Sequence, residues 1–251
     1  MKFIQAISVA LLILGNTMAE EKKISAKEVI LKSIEAVGGK AACKRFESAH
    51  AVGELKMFAD DKIIAVHFES WCVPPLLLRR EFTKEEFGKQ VKSIYVLNKD
   101  NAWYKHGKNP TIPITGSDFE RYKSTCADIL FLSLYRIVED EQFKICLLDS
   151  VLKNDEQCYQ VLVRRDGNSD KTLCFSMKTY LLTSDSEVKK VNGSDQKEKV
   201  EVVFSEYRKF GDKMIPCKTI QYTDSKKVAV CKLKSITPIE KPDDNLFKKP
   251  E

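Results

Sequence analysis

The residues best equipped for chemistry in this 251-residue chain are three histidines, eight cysteines and 36 carboxylates. His50, His67 and His106 are far apart, and none stands in H-E-x-x-H or beside a cysteine at metal-ligand spacing. The cysteines, at 43, 72, 126, 146, 158, 174, 217 and 231, form no C-x-x-C pair and no zinc-site pattern. Several lie inside apolar runs such as Ile145-Cys146-Leu147 and Leu173-Cys174-Phe175, where a thiol behaves as a small hydrophobe. Glu85-Glu86 and Glu139-Asp140-Glu141 are adjacent runs sharing one environment, whereas an acid/base pair needs two different ones. No G-x-S-x-G elbow and no glycine-rich phosphate loop before a helix is present. The chain reads as a non-catalytic protein with no cofactor.

One covalent feature follows from spacing. If Tyr222 to Lys226 closes a hairpin with a three-residue loop, Cys217 falls directly opposite Cys231. Cross-strand Cα atoms ~4.5–5.5 Å apart are within disulfide reach. Such a bridge requires an oxidising compartment.

The first residues predict one. Met1-Lys2 is a basic start, Phe3 to Leu14 is an apolar run, and small residues at Thr17 and Ala19 precede Glu20-Glu21. This is the pattern of a signal peptide over 1–19, cleaved after Ala19. The apolar run is too short to span a bilayer, which takes ~20 residues. A periplasmic or secreted protein, soluble after cleavage, is expected. Removing 1–19 takes Lys2 and no acid, so the net charge falls from +6 to +5. Basic residues are interspersed with acids, as in Lys84-Glu85-Glu86, so no nucleic-acid footprint is expected.

The remaining 20–251 predicts a single domain. Ser25 and Glu28 fit a capping box, Val29, Ile30, Ile34 and Val37 recur at helical spacing, and Gly38-Gly39 supplies a left-handed stop. From Ala49 the period becomes two. Strands are predicted at Ala49–Phe58, Lys62–Val73, Leu78–Phe87, Ser93–Asn98 and Ala102–Lys105. Seven more follow between Phe143 and Ile236, with polar turns such as Lys209-Phe210-Gly211-Asp212 and a hairpin tip over Val191–Lys199. Asn192-Gly193-Ser194 in that tip is a formal glycosylation sequon. This is an antiparallel meander rather than a βαβ series. Between its halves, residues 117–138 predict a helix that is apolar nearly all round from Ile129 to Val138. Such a helix is buried on more than one side, either as core or as a lid over an apolar cavity.

Several stretches in order resemble one family. They are Glu35-Ala36-Val37-Gly38-Gly39-Lys40 with Phe46-Glu47-Ser48, then Trp71 before Pro74-Pro75, and Leu78-Arg79-Arg80-Glu81. Next come Tyr95 through Trp103, Gln157 to Val161, Thr179-Tyr180-Leu181-Leu182 and Glu206-Tyr207. Gly211 to Pro216 and Pro238 to Pro250 close the series. Together they are similar to the bacterial outer-membrane lipoprotein-sorting, or LolA-like, proteins. The resemblance implies a mainly β fold with helices: an unclosed antiparallel half-barrel covered by lid helices. It implies a carrier that holds a lipid, or the acyl chains of a lipidated protein, in the concave face, with inner- or outer-membrane components as further partners. The carriers proper place a basic residue where this chain has Val73, so lipoprotein transfer is not specified by the resemblance. Trp71, Phe82, Tyr95, Trp103, Phe131, Leu132 and Leu134 are the expected cavity and lid residues. A one-residue slip reverses every facing, so pattern alone does not separate them from ordinary core. A non-catalytic envelope protein with a filled core is the alternative.

Overall fold

Ser25 opens helix α1 (Ala26–Ala36) with a complete capping box. The Ser25 N–H donates to Glu28 Oε2 at 2.8 Å, and the Glu28 N–H donates to Ser25 Oγ at 3.2 Å. Val29, Ile30, Ser33 and Ile34 are the face it buries. At Gly38, φ is +112°, and the chain turns at once into α2 (Gly39–Arg45). A Cβ on Gly38 would lie 2.1 Å from the Asp212 carbonyl oxygen, so glycine is needed for contact as well as conformation. The computed structural model describes residues 24–251 apart from 60–61, 121, 124–132, 154, 166–168 and 191–195. The expected signal peptide, the first four residues of the apolar run (129–132) and the sequon lie outside the described residues.

Thirteen strands follow. They are β1 (Ala49–Ala59), β2 (Lys62–Val73), β3 (Leu77–Glu86), β4 (Lys89–Asn98), β5 (Asn101–His106) and β6 (Ile112–Pro113) in the first half. Helix α3 (Leu134–Glu139) precedes β7 (Phe143–Lys153), β8 (Glu156–Arg165), β9 (Lys171–Ser176) and β10 (Leu182–Lys190). β11 (Lys197–Phe210), β12 (Lys213–Thr223) and β13 (Lys226–Pro238) complete the set. They form one antiparallel sheet in the order β6-β5-β4-β3-β2-β1-β13-β12-β11-β10-β9-β8-β7. Each strand therefore pairs with its neighbours in sequence except β6 with β7, and the two meanders are joined where β1 meets β13. β6 and β7 are the free edges, so the half-barrel is unclosed. These edges are consecutive in the chain, which obliges residues 114–142 to travel from one edge of the sheet to the other.

Two apolar clusters cover the inner face. α1, α2 and α3 pack on β7–β11 through Val29, Ile30, Cys43, Leu134, Ile137, Val161, Val163, Leu173 and Phe175. At the other end, Cys72, Leu78, Leu97 and Ala102 are covered by Ile114, Phe119 and Tyr122. The outer face of β3 and β4 carries the C-terminal 3-10 turn Asp244–Phe247. Arg79 Nη1 donates to the Leu246 carbonyl and Asn98 Nδ2 to that of Phe247, each at 3.0 Å, and Phe247 is 1% exposed.

The structure differs from the predicted elements in two places. The single helix expected over 117–138 is not continuous: residues 116–120 and 122–123 are helical, while Ser133 has ψ 72° and starts α3 afresh. The hairpin expected to oppose Cys217 and Cys231 has a two-residue loop, with Thr223 paired to Lys226 and Asp224 and Ser225 both at positive φ. A register shift at Gln221/Tyr222 adds a further step, so Cys231 faces Thr219. Both sulfurs are free thiols. No helix among the described residues is long and apolar enough to cross a membrane.

Candidate ligand-binding site

Between the two clusters lies a cavity of about 510 Å³. Its floor is the inner face of β1, β2, β12 and β13, and Val37, Cys43, Phe46 and Leu134 from the helices roof it. The volume arises from side-chain size. On β1 the inward positions are Ala49, Ala51 and Gly53, three small residues in alternation, while His50, Val52 and Glu54 point outward. The Phe68 ring from β2 lies over Gly53; a Cβ there would come within 2.6 Å of that ring and 2.4 Å of the Lys232 carbonyl. Larger side chains at Ala49 and Ala51 would fill the cavity, whereas the room over Gly53 is already taken by the Phe68 ring.

Few polar groups reach it. Glu47, at the entry to β1, accepts from Arg136 Nε at 2.5 Å and Nη2 at 3.1 Å. Burial opposes its ionisation, but hydrogen bonds from Arg136, Tyr135 and Ser133 and the Arg136 charge hold its carboxyl below the usual range. The Tyr135 phenol is pushed up to about 12 by burial and by Glu47. Tyr207 donates to the Leu182 carbonyl at 2.7 Å, and burial raises its pKa. The Lys213 ammonium lies 5.8 Å from the Phe46 ring centroid; burial lowers its pKa against the pull of Cys43, Glu47 and Asp212. Burial likewise raises the thiols of Cys43 and Cys231, which keeps them in the unreactive form. Arg80, from β3, completes the wall.

The structure separates the expected site residues. Phe82 and Leu134 line the cavity. Tyr95 is on the same face, paired across β3–β4 with Arg80, but sits beside the cavity in an aromatic cluster. Its ring is 5.8 Å from Phe82, 4.6 Å from Tyr104 and 5.4 Å from Tyr122. Trp71 and Trp103 do not face the cavity. Trp71 lies between the inward Ser70 and Cys72, so it points outward and stacks on His50 at 4.7 Å. Trp103 pairs with Val96, which pairs with Arg79 on the face beneath the C-terminal turn. Phe131 and Leu132 lie outside the described residues. Sequence patterns do not single out Arg80, Lys213 or the small residues of β1; the Ala49-x-Ala51-x-Gly53 alternation is visible there but reads only as strand.

The histidines stay apart. His50 Nε2 is 2.8 Å from Glu69, His67 is 3.8 Å from Glu54, and His106 Nδ1 is 2.8 Å from the Ser93 hydroxyl. Among the described residues no group of three or more His, Cys, Asp and Glu side chains is placed to hold a metal ion.

No family model matches the chain, and no curated protein matches it by sequence. Solved structures match it by shape. A LolA superfamily protein from Nitrosomonas europaea superposes with a TM-score of 0.57 at 12% identity, over 90% of this chain and 98% of that one. An outer membrane lipoprotein-sorting protein domain from Vibrio parahaemolyticus gives 0.54 at 10% identity, over 89% and 96%. A DUF1329 family protein from Desulfovibrio piger gives 0.57 at 10% identity, over 89% and 97%. At these identities the likeness is one of fold: an open antiparallel half-barrel of the LolA-like type.

Proposed function

We propose that this LolA-like half-barrel is an exported, non-catalytic carrier that holds an acyl chain in its inner cavity. The observation that carries the reading is the cavity itself, an apolar space with small residues on its floor and a helical roof. Its volume is in the usual range for small-molecule sites, ~300–1,000 Å³. A cavity of that size suits a ligand with one acyl chain. The lipoprotein-sorting name of the Vibrio domain favours a lipid or lipidated partner. Export is supported by the basic and apolar pattern of residues 1–19.

Burying a sixteen-carbon chain removes enough apolar surface from water for tight binding, at about 0.8 kcal/mol per methylene before the costs of association. Native mass spectrometry of the mature protein, purified without detergent, should show a co-purified lipid-sized adduct or the uptake of one added acyl chain per protein. A clean mass with no uptake of added chains would favour the alternative, an interaction protein whose interior takes no ligand.

A further inference from the structure

Arg80 is a cavity charge with no carboxylate partner among the described residues. It belongs to an inward cross-strand row, Ile236–Ala51–Ser70–Arg80–Tyr95, in which Ala51 and Ser70 are too small to obstruct it. Arg80 and Cys231 of β13 line the same cavity, and the Arg80 charge opposes the upward push of burial on the Cys231 thiol. Among the described residues no carboxylate pairs with Arg80. Its neighbour Arg79, on the outer face, has both a carboxylate and a carbonyl, donating to Glu81 Oε1 at 2.8 Å and to Leu246. Glu47, the one carboxylate among the described cavity-lining residues, is held by Arg136. Lys213 is differently placed, since Glu47, Cys43 and Asp212 all act on it.

A half-buried cation in apolar surroundings costs free energy unless an anion answers it. A ligand that brings the anion removes that cost, and a guanidinium presents paired N–H donors matched to a carboxylate or phosphate. We infer that the cavity's ligand is a single-chain anionic amphiphile, its carboxylate or phosphate head paired with Arg80 and its chain lying over Ala49 and Ala51. This rests on the acyl-cavity reading above and adds the head group to it. The Ser70 hydroxyl, next to Arg80 in the row, is positioned to donate to the same oxyanion.

The test uses three probes of one chain length, hexadecanoate, hexadecyl phosphate and hexadecanol, titrated calorimetrically into the mature protein. The anions should bind about tenfold to a hundredfold more tightly than the alcohol, the usual margin for a charge-assisted hydrogen-bonded pair. Arg80→Gln should bring the anion-to-alcohol ratio close to one, and Arg80→Lys should keep part of it. The better of the two anions tells a carboxylate head from a phosphate head. Equal binding of all three probes to the wild type overturns the head-group assignment while leaving the acyl cavity standing. So does an equal weakening of all three in Arg80→Gln, which would mark the arginine as packing. Absence of binding by any probe overturns the acyl-cavity reading and this one with it. Should Arg80→Gln fail to fold, the wild-type preference and Arg80→Lys still decide.

Discussion

At the scale of single residues, the cavity and its frame depend on side chains that are missing rather than present. Gly38 turns α1 into α2 at φ +112° and lies against the Asp212 carbonyl, so alanine there meets both backbone strain and a clash. Gly38→Ala should lower stability by roughly 2–3 kcal/mol in urea unfolding, more than an exposed helix-end substitution costs. Ala51 has the opposite character. If the space above it is unfilled, Ala51→Leu occupies it, and stability should hold or rise by about 0.5–2 kcal/mol. Acyl-probe affinity should fall about tenfold or more. A core already filled would instead lose about 1–3 kcal/mol from overpacking, so paired melting and binding measurements on Ala51→Leu separate the two readings. The alternation of Ala49, Ala51 and Gly53 was legible in the sequence. That their face was the hollow one was not, because a period of two names two faces without saying which is covered.

At the scale of elements, α3 is held to the start of β1 by the Arg136–Glu47 pair, and to α1 by apolar packing. The folded Glu47 carboxyl lies below its unfolded value, which is about 4.3. A lowered carboxylate contributes stability that is complete above the unfolded value and is lost as pH falls through the folded one. The melting temperature should therefore drop as pH is lowered below about 4.3. Glu47→Gln should be less stable at neutral pH, show a shallower acid slope, and converge with the wild type in acid. A slope unchanged by Glu47→Gln would place the acid sensitivity elsewhere. α1 was readable to the residue from its capping box and apolar spacing. The expected 117–138 helix was not, since a run apolar on all sides has no periodicity with which to place a break such as Ser133.

At the scale of the whole molecule, the sheet is held together in its middle by the pairing of β1 with β13, one from near each end of the described chain. The C-terminal residues then continue across the outer face of β3 and β4 to place Phe247. Deleting 239–251 should uncover that face and cost about 2–4 kcal/mol, from one buried aromatic side chain and the hydrogen bonds of Arg79 and Asn98. Acyl-probe binding should be unchanged, because the tail and the cavity lie on opposite faces; a loss of binding at full folding would show that the two faces are coupled. The tail lies on the same face as the two tryptophans. Trp71 and Trp103 share an outward row with His50, Arg79 and Val96, and part of that row is buried under the C-terminus. Aromatic residues expected inside the half-barrel thus serve a second, outer layer.

By itself the sequence determined what is local. Periods of two and of 3.6, a capping box, glycine stops and polar turns specified an antiparallel meander with an N-terminal helix, and their order resembled the LolA-like fold. It also carried the basic and apolar start that points to export. Only the tertiary structure decided what depends on strands distant in sequence meeting. The β1–β13 pairing determines which face curls inward, and the β6-to-β7 connection has to travel from one sheet edge to the other. The hairpin register then places Cys231 against Thr219 instead of Cys217. The hairpin register is local, set by a two-residue turn and the shift at Gln221/Tyr222, but the first two share one physical reason. Neighbouring residues set backbone conformation, but inside and outside are defined only when the sheet has curved around something. In this protein the space so enclosed is mostly apolar, about 510 Å³, and bordered by Arg80, which pairs with no carboxylate among the described residues.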